Sequence, residues 1–339
     1  MPEKHIFWFD ELGKEQSQVV GKKCANLGEM AKIGLPVPPG FALSVDAYRD
    51  FMTRTNASQE IRDYLDRRSE GLENIEHFNQ ASLEIRRIVE SKEMPGAMQE
   101  SFLSYYARLC DRCGCTEVAV STRSAGPASH PGQYETYLNV KGKADLLEKI
   151  KKVWASSFNP RSLAFRKRKG LPLENDPIGV AVLKMVNART AGIIFTADPN
   201  TGDMSRMIIE ANWGLGESVV GGEAMPDVHI VDKESLEIVE KKIGKKSRYV
   251  TCKDLGVAEE ECPADLSSAF CLSEDEVKEV ARLGIRLEKH FGVPQDVEWA
   301  VDRDFELPKS IILLQTRAEV MVQKKAPMDH IIDLMLGRR

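Results

Sequence analysis

Seven short strand-like runs crowd the second half of this chain, and they limit its fold more than any other feature. They are Gly179–Val186, Gly192–Thr196, Met207–Glu210, Val228–Val231, Leu236–Val239, Asp296–Asp302 and Ser310–Gln315. Turn signals separate them. Asp198-Pro199-Asn200-Thr201-Gly202 ends one run, because Asx side chains and proline favour a reversal there. Asp232 to Ser235 supplies a polar hairpin connection between two others. A helix is expected over about Glu274 to His290.

The first half reads differently. Ile6 to Phe9 is a short strand, and Lys23 to Ile33 a helix with Ala25, Leu27, Met30 and Ala31 on one face. Gly34 stops that helix, and Pro36, Pro38 and Pro39 prevent its resumption. Helical periodicity returns at 46–54, 58–69, 74–91 and 97–110, with Pro95-Gly96 breaking the last pair. Val118–Val120 is a strand that runs into a small-residue loop, Ser121 to Gly132, and 144–168 is helical again. The class is α/β (α+β). The organisation is an N-terminal lobe over 1–175 with a helical insertion at about 46–115, a C-terminal lobe over 176–323, and a helical tail over 324–339.

Composition narrows the function. A net charge of −5 from 47 basic and 52 acidic residues gives no basic stripe for nucleic acid. No run approaches the length and apolarity of a membrane span. The start of the chain lacks the apolar stretch of a secretory signal. Seven scattered cysteines fit reduced thiols, and the expected compartment is the cytoplasm. Cys110, Cys113 and Cys115 lack a second ligand pair at zinc-site spacing.

Four segments carry chemistry. Ser121 to Thr136 combines small residues and hydroxyls with Arg123, so that backbone N–H groups and a guanidinium could meet phosphate oxygens. Gly214-Leu215-Gly216-Glu217 turns after an apolar run, as nucleotide-binding turns do, without the lysine ending of a P-loop. Gly21-Lys22-Lys23 stands at a helix start, where anions are favoured. Finally, Asp296 and Glu298 share one strand face, and Gln315 and Arg317 share another, because alternate side chains point the same way. Antiparallel pairing would gather these four. Their hard oxygens suit Mg²⁺, which takes one or two carboxylates plus substrate phosphates. Each segment has a plain alternative: an exposed loop, a structural turn, a solvated lysine, a polar row on an edge strand.

Their order is distinctive. Val20–Ser44, Ser121–Val140, Gly192–Asp203, Ile208–Lys233, Pro294–Asp302 and Leu313–Glu319 together resemble the nucleotide-binding domain of the phosphoenolpyruvate synthase and pyruvate phosphate dikinase family. Rifampin phosphotransferase and phenylphosphate synthase are similar. The resemblance implies an ATP-grasp fold whose two lobes close on ATP. It implies ATP contacts from Lys23, Arg123, Gly132, Thr136, Leu183, Glu217, Gln315 and Arg317. It implies catalytic roles for Lys23, Arg123 and Arg317. Glu298 and Gln315 match the family's Mg²⁺ ligands, with Asp296 beside them.

The departures are specific. Lys22 stands where the family has a second glycine, and Leu183 where it has an adenine-side glutamine. The phosphate loop looks short. None of the six histidines sits in a stretch like the family's phosphocarrier. The resemblance therefore implies a donor that passes the β-phosphate of Mg-ATP to a histidine on a partner subunit and releases AMP. A small-molecule acceptor on the partner, such as phenol or pyruvate, would receive it. As a separate subunit the chain looks most like part of phenylphosphate synthase. The alternatives are the ATP domain of a longer dikinase or rifampin-type phosphotransferase, and a non-catalytic ATP-binding regulator.

Overall fold

The computed structural model describes residues 4–68, 72–126, 134–222 and 225–319. Gly132 and His130 of the phosphate loop, and the helical tail expected at 324–339, lie outside the described residues. The chain divides into two units, Met1–Val186 with Thr251–Ala258, and Asn187–Val250 with Glu259–Arg339.

The first unit holds strands β1 (Ile6–Trp8), β2 (Gly40–Leu43), β3 (Val120–Ala125), β4 (Thr136–Val140) and β5 (Gly179–Lys184). They form one sheet in the order β1-β2-β5-β3-β4, and every pair is antiparallel. Its helices are α1 (Ser17–Val20), α2 (Lys22–Lys32), α3 (Val45–Arg54), α4 (Ala57–Asp66), α5 (Ile75–Ser91), α6 (Gly96–Cys113), α7 (Gly142–Ala155) and α8 (Pro160–Arg168). Helix α3 begins where Ser44 Oγ accepts from Ala47 N, and α5 where Asn74 caps His77 N. Such caps satisfy N–H groups that the first helical turn leaves open.

The helical insertion is not a separate lobe. One apolar cluster joins Tyr48, Phe51, Ile85 and Phe102 of the insertion to Val120, Val180 and Val182 of the sheet. Its centre is the wholly buried Trp154 of α7, whose ring lies 4.9 Å from Phe51 and 6.2 Å from Phe102. Aromatic pairs at such spacing contribute about 0.5–1.5 kcal/mol each beyond area burial.

Two sequence expectations move. The strand at 179–184, assigned to the second lobe, is hydrogen-bonded between β2 and β3 of the first sheet, and the division falls at Val186. Its side chains are buried on both faces as far as Leu183, which suits an interior strand. Arg123, read as part of a loop, lies within β3. The start of α2 packs closely at the end of this strand: a side chain at Gly21 would overlap the Ala125 carbonyl.

The second unit is built on a six-stranded antiparallel sheet of order β13-β12-β6-β7-β8-β9. Its strands are β6 (Ala188–Phe195), β7 (Arg206–Trp213), β8 (Asp227–Asp232), β9 (Ile238–Lys242), β12 (Gln295–Asp302) and β13 (Ile311–Ala318). A hairpin, β10 (Arg248–Cys252) with β11 (Val257–Glu261), was not foreseen from sequence and shares its residues between the two units. Two short helices, α9 (Glu217–Val220) and α10 (Ala264–Ser267), precede the long α11 (Glu274–Phe291). A capping box at Ser273 and Glu276 starts α11, and Gly292 ends it in the left-handed region. Its apolar stripe packs on the sheet, and Gly284 lets it approach Ile194.

Helices with two main antiparallel sheets make this an α+β chain, consistent with the ATP-grasp-like fold that the resemblance implies. Among the described residues, no helix is long and apolar enough to cross a membrane.

Candidate functional site

In the second unit, β12 and β13 set Asp296 opposite Arg317 and Glu298 opposite Gln315. All four side chains therefore leave the sheet on one face. Val297 and Trp299 leave on the other and are wholly buried. The register is held from that other face. Gln295, Thr196 and Thr316 are all buried polar residues. Thr316 Oγ1 donates to Gln295 Oε1 at 2.8 Å, and Gln295 N donates to Thr196 Oγ1 at 2.8 Å. Three strands are thus pinned by side-chain hydrogen bonds directly behind the polar row.

The row itself is strongly polarised. Arg317 Nε donates to Asp296 Oδ2 at 2.7 Å. Burial pushes the Asp296 carboxyl up from its ordinary range, Arg317 opposes that shift, and Glu298 adds to it. Gln315 is 9% exposed, and its Oε1 is buried without a hydrogen-bond partner among the described residues. A buried carbonyl oxygen left unsatisfied costs about 1–3 kcal/mol. Such a group calls for a ligand, an ion or a water.

Sequence reasoning missed two further carboxylates. Glu210 on β7 lies opposite Ile193 of β6, which in turn lies opposite Glu298, so it shares the same face. Burial raises its pKa, and Asp296 adds to the rise. Its position depends on strand order, which a single sequence does not reveal. Glu319 continues the alternation of Gln315 and Arg317, and that spacing could have exposed it. Its Oε2 accepts from Ala197 N at 3.2 Å, while its Oε1 is buried without a hydrogen-bond partner among the described residues. Burial first, then Asp296 and Glu288, push its carboxyl up to about 7, against the Ala197 N–H and Lys233.

In the first unit, Arg123 of β3 lies opposite Thr136 of β4 and Ala181 of β5. Ser121, Arg123 and Ala125 occupy the face away from Val120, Val180 and Val182 of the apolar cluster. The start of α2 sits against this face. Gly21 packs on Ala125 with φ of 81°, and Lys22 N donates to Gly126 O at 3.1 Å. Lys23, in the first turn of α2, is half-buried, whereas Lys22 is exposed. The demanding glycine is therefore Gly21, and the substitution at Lys22 puts no side chain into the interior.

Leu183 is 2% exposed, opposite Gly40 and Ser121. It offers no polar side-chain contact, and the N–H groups of Lys184 and Met185 already bond to Pro39 O and Ala119 O. Glu217 is exposed at the head of α9 and is not on the β12–β13 face. Its turn is built by Gly214, where a side chain would overlap the Val250 carbonyl, and by the wholly buried Asn212, which donates to Ser218 Oγ at 3.0 Å. Among the described residues, no three His, Cys, Asp or Glu side chains gather as a metal cage. Mg²⁺ needs none, since waters and phosphates complete its shell.

Residues 17–335 match the family model described as pyruvate phosphate dikinase, AMP/ATP-binding domain. A probable phosphoenolpyruvate synthase of Methanocaldococcus jannaschii is 39% identical over 309 residues, covering 88% of this chain and 26% of that protein. The phosphoenolpyruvate synthase of Aeropyrum pernix is 36% identical over 361 residues, covering 96% of this chain and 43% of that protein. The chain thus spans less than half the length of these curated relatives. The solved macrocyclase MdnC, bound with precursor peptide MdnA, from Microcystis aeruginosa MRC is 12% identical with a TM-score of 0.27, covering 83% of this chain and 69% of that one. That superposition is too loose to carry an argument. By the family match and by relatives above one-third identity over most of its length, this chain belongs to the AMP/ATP-binding domain family of pyruvate phosphate dikinase and phosphoenolpyruvate synthase.

Proposed function

We propose that the chain binds Mg-ATP and donates its β,γ-pyrophosphoryl group to a histidine on a partner subunit or domain, releasing AMP; loss of the γ-phosphate to water as phosphate would leave the β-phosphate on that histidine. Delivery to a small-molecule acceptor on that partner, such as phenol or pyruvate, would follow. The observation that carries the reading is the buried Gln315 Oε1, which has no hydrogen-bond partner among the described residues and belongs to a residue placed opposite Glu298, two strand positions from the Asp296–Arg317 pair.

Each residue set, taken by itself, suits a part of Mg-ATP. Glu298, Gln315 and Asp296 would hold Mg²⁺, and the ion would offset phosphate charge and fix phosphate orientation. Asp296 holds the guanidinium of Arg317, which leaves its remaining donors for a phosphate oxygen. Lys23 and Arg123 supply further positive charge, with Thr136 as a hydroxyl neighbour across the strand pair. Phosphoryl transfer depends mainly on positioning and electrostatic stabilisation, so a donor domain needs no nucleophile of its own. Leu183, followed by two backbone N–H groups already bonded within the protein, leaves base recognition mainly to shape, which favours weak selectivity for adenine. The scattered cysteines support a cytoplasmic setting for this work.

The test uses ATP labelled at the β-phosphate, Mg²⁺, the purified chain and extract from its source cells. Label should reach another polypeptide in an acid-labile, base-stable form while AMP accumulates, and Arg317→Ala should abolish it. Binding of ATP without label transfer or AMP would replace catalysis with a regulatory role. Formation of ADP instead would point to a ligase-type reaction.

A further inference from the structure

Residue Arg86 belongs to α5 of the helical insertion, a region in which the sequence shows no catalytic pattern. Its guanidinium donates through both terminal nitrogens to Glu135, at 2.6 Å to Oε1 and 2.9 Å to Oε2. Tyr137 OH donates to Glu135 Oε2 as well, and Glu135 N donates to Ser156 Oγ at 3.1 Å. Glu90, one turn along α5, is 3.6 Å from Arg86 Nε. The carboxylate is therefore held in a planar fork with a hydroxyl at its side, and its backbone is tied to the end of α7.

The consequence lies on the other face of the strand. Side chains alternate along β4. Glu135 and Tyr137 point to the helical layer, where Tyr137 packs on the apolar cluster. Thr136, between them, points to the opposite face and pairs with Arg123. Tyr134 is tied to the helical layer too, donating to Asp176 Oδ2 at 2.8 Å. The entrance to β4 is thus gripped from behind at two successive residues, directly under the hydroxyl and guanidinium of the first unit's polar pair.

We infer that Arg86 is a positioning residue for nucleotide phosphate. By clamping Glu135 it fixes the height and rotation of Thr136 against Arg123, and it acts on the phosphate end of the ligand without touching it. This rests on the reading of Arg123 and Thr136 as phosphate ligands. A bidentate fork is needed because a point charge would fix the distance but not the rotation of the strand.

The experiment measures dissociation constants for Mg-ATP and for adenosine, with thermal midpoints, on the full chain. The variants are Arg86→Met, Arg86→Lys, the exposed neighbour Arg87→Met, and Arg86→Glu combined with Glu135→Arg. Arg86→Met should weaken Mg-ATP about tenfold, the scale of one charge-assisted hydrogen bond, and leave adenosine unchanged. Arg86→Lys should fall between, the charge-swapped pair should recover part of the loss, and Arg87→Met should match wild type. Arg86→Lys retains the charge and serves if Arg86→Met does not fold. Equal weakening of ATP and adenosine, or no weakening at all, overturns the inference. If the wild-type chain itself binds no ATP, the nucleotide reading fails first and this inference with it.

Discussion

Across β12 and β13, one oxygen of Asp296 meets two nitrogens of Arg317, Nε at 2.7 Å and Nη2 at 2.5 Å. The carboxylate is 8% exposed and the guanidinium 41%, so the pair shields one partner more than the other. Removing the arginine leaves a buried charge without its main partner. Arg317→Met should therefore cost about 1–3 kcal/mol, less than for a fully buried pair because the guanidinium reaches solvent. Adding Asp296→Asn to that variant should recover most of the loss. Urea denaturation of the single and double variants checks this, and strictly additive losses would refute it.

Glu319 gives a pH signature. Its carboxyl is pushed up to about 7, chiefly by burial, against an ordinary value of 4.5. The folded state then holds the proton more tightly than the unfolded chain does. Stability from that proton is present in full below the ordinary carboxylate value and disappears as pH rises through about 7. The wild-type chain should accordingly lose stability between pH 5 and pH 8 relative to Glu319→Gln. Denaturation midpoints of the two proteins at both pH values test this, and parallel profiles would discard it.

Much of this was legible in advance, for a physical reason. The polar row on β12 and β13 follows from the two-residue period of a strand, and the helices of the insertion follow from their 3.6-residue apolar period. What the sequence could not reveal depends on contacts between distant segments. Glu210 joins the row only because β6 lies between β12 and β7. Arg86 meets Glu135 across 49 positions of chain. Arg123 looked like part of a loop because small residues flank it, yet it lies in an interior strand whose last residue, Ala125, packs against Gly21. The hairpin of β10 and β11 buries only Val250 and is otherwise half-buried or exposed, which leaves no clean apolar alternation.

Gly21 and Lys22 separate two demands that the family's paired glycines combine. Gly21 has φ of 81° and ψ of 155°, a region closed to other residues, and a side chain there would overlap the Ala125 backbone. Gly21→Ala should cost about 1–3 kcal/mol from the backbone alone and weaken Mg-ATP by displacing the start of α2. Lys22 is exposed, so Lys22→Gly should change stability by no more than about 1 kcal/mol and leave nucleotide affinity unaltered. Calorimetric titration with Mg-ATP distinguishes the two. A tighter complex in Lys22→Gly would mean that the lysine obstructs the ligand after all.

Lys246 and Asp227 form an ion pair with neither side chain exposed. The carboxylate is otherwise well served: Gly244 N donates to Oδ1 at 2.9 Å, and Cys271 N to Oδ2 at 2.9 Å. The pair therefore ties β8, the segment after β9 and the residues before α11 into one buried junction. Gly244 makes the approach possible, since a side chain there would overlap the Met225 and Pro226 carbonyls. Lys246→Met keeps the volume and strands the carboxylate. It should destabilise the second unit by about 3–5 kcal/mol, the range for removing one member of a buried pair. Lys246→Met with Asp227→Asn should be less harmful than Lys246→Met alone, because the neutral amide keeps an acceptor for a backbone N–H without a buried charge. If the double variant is the less stable of the two by urea denaturation, the junction depends on the carboxylate's hydrogen bonds and not on its charge.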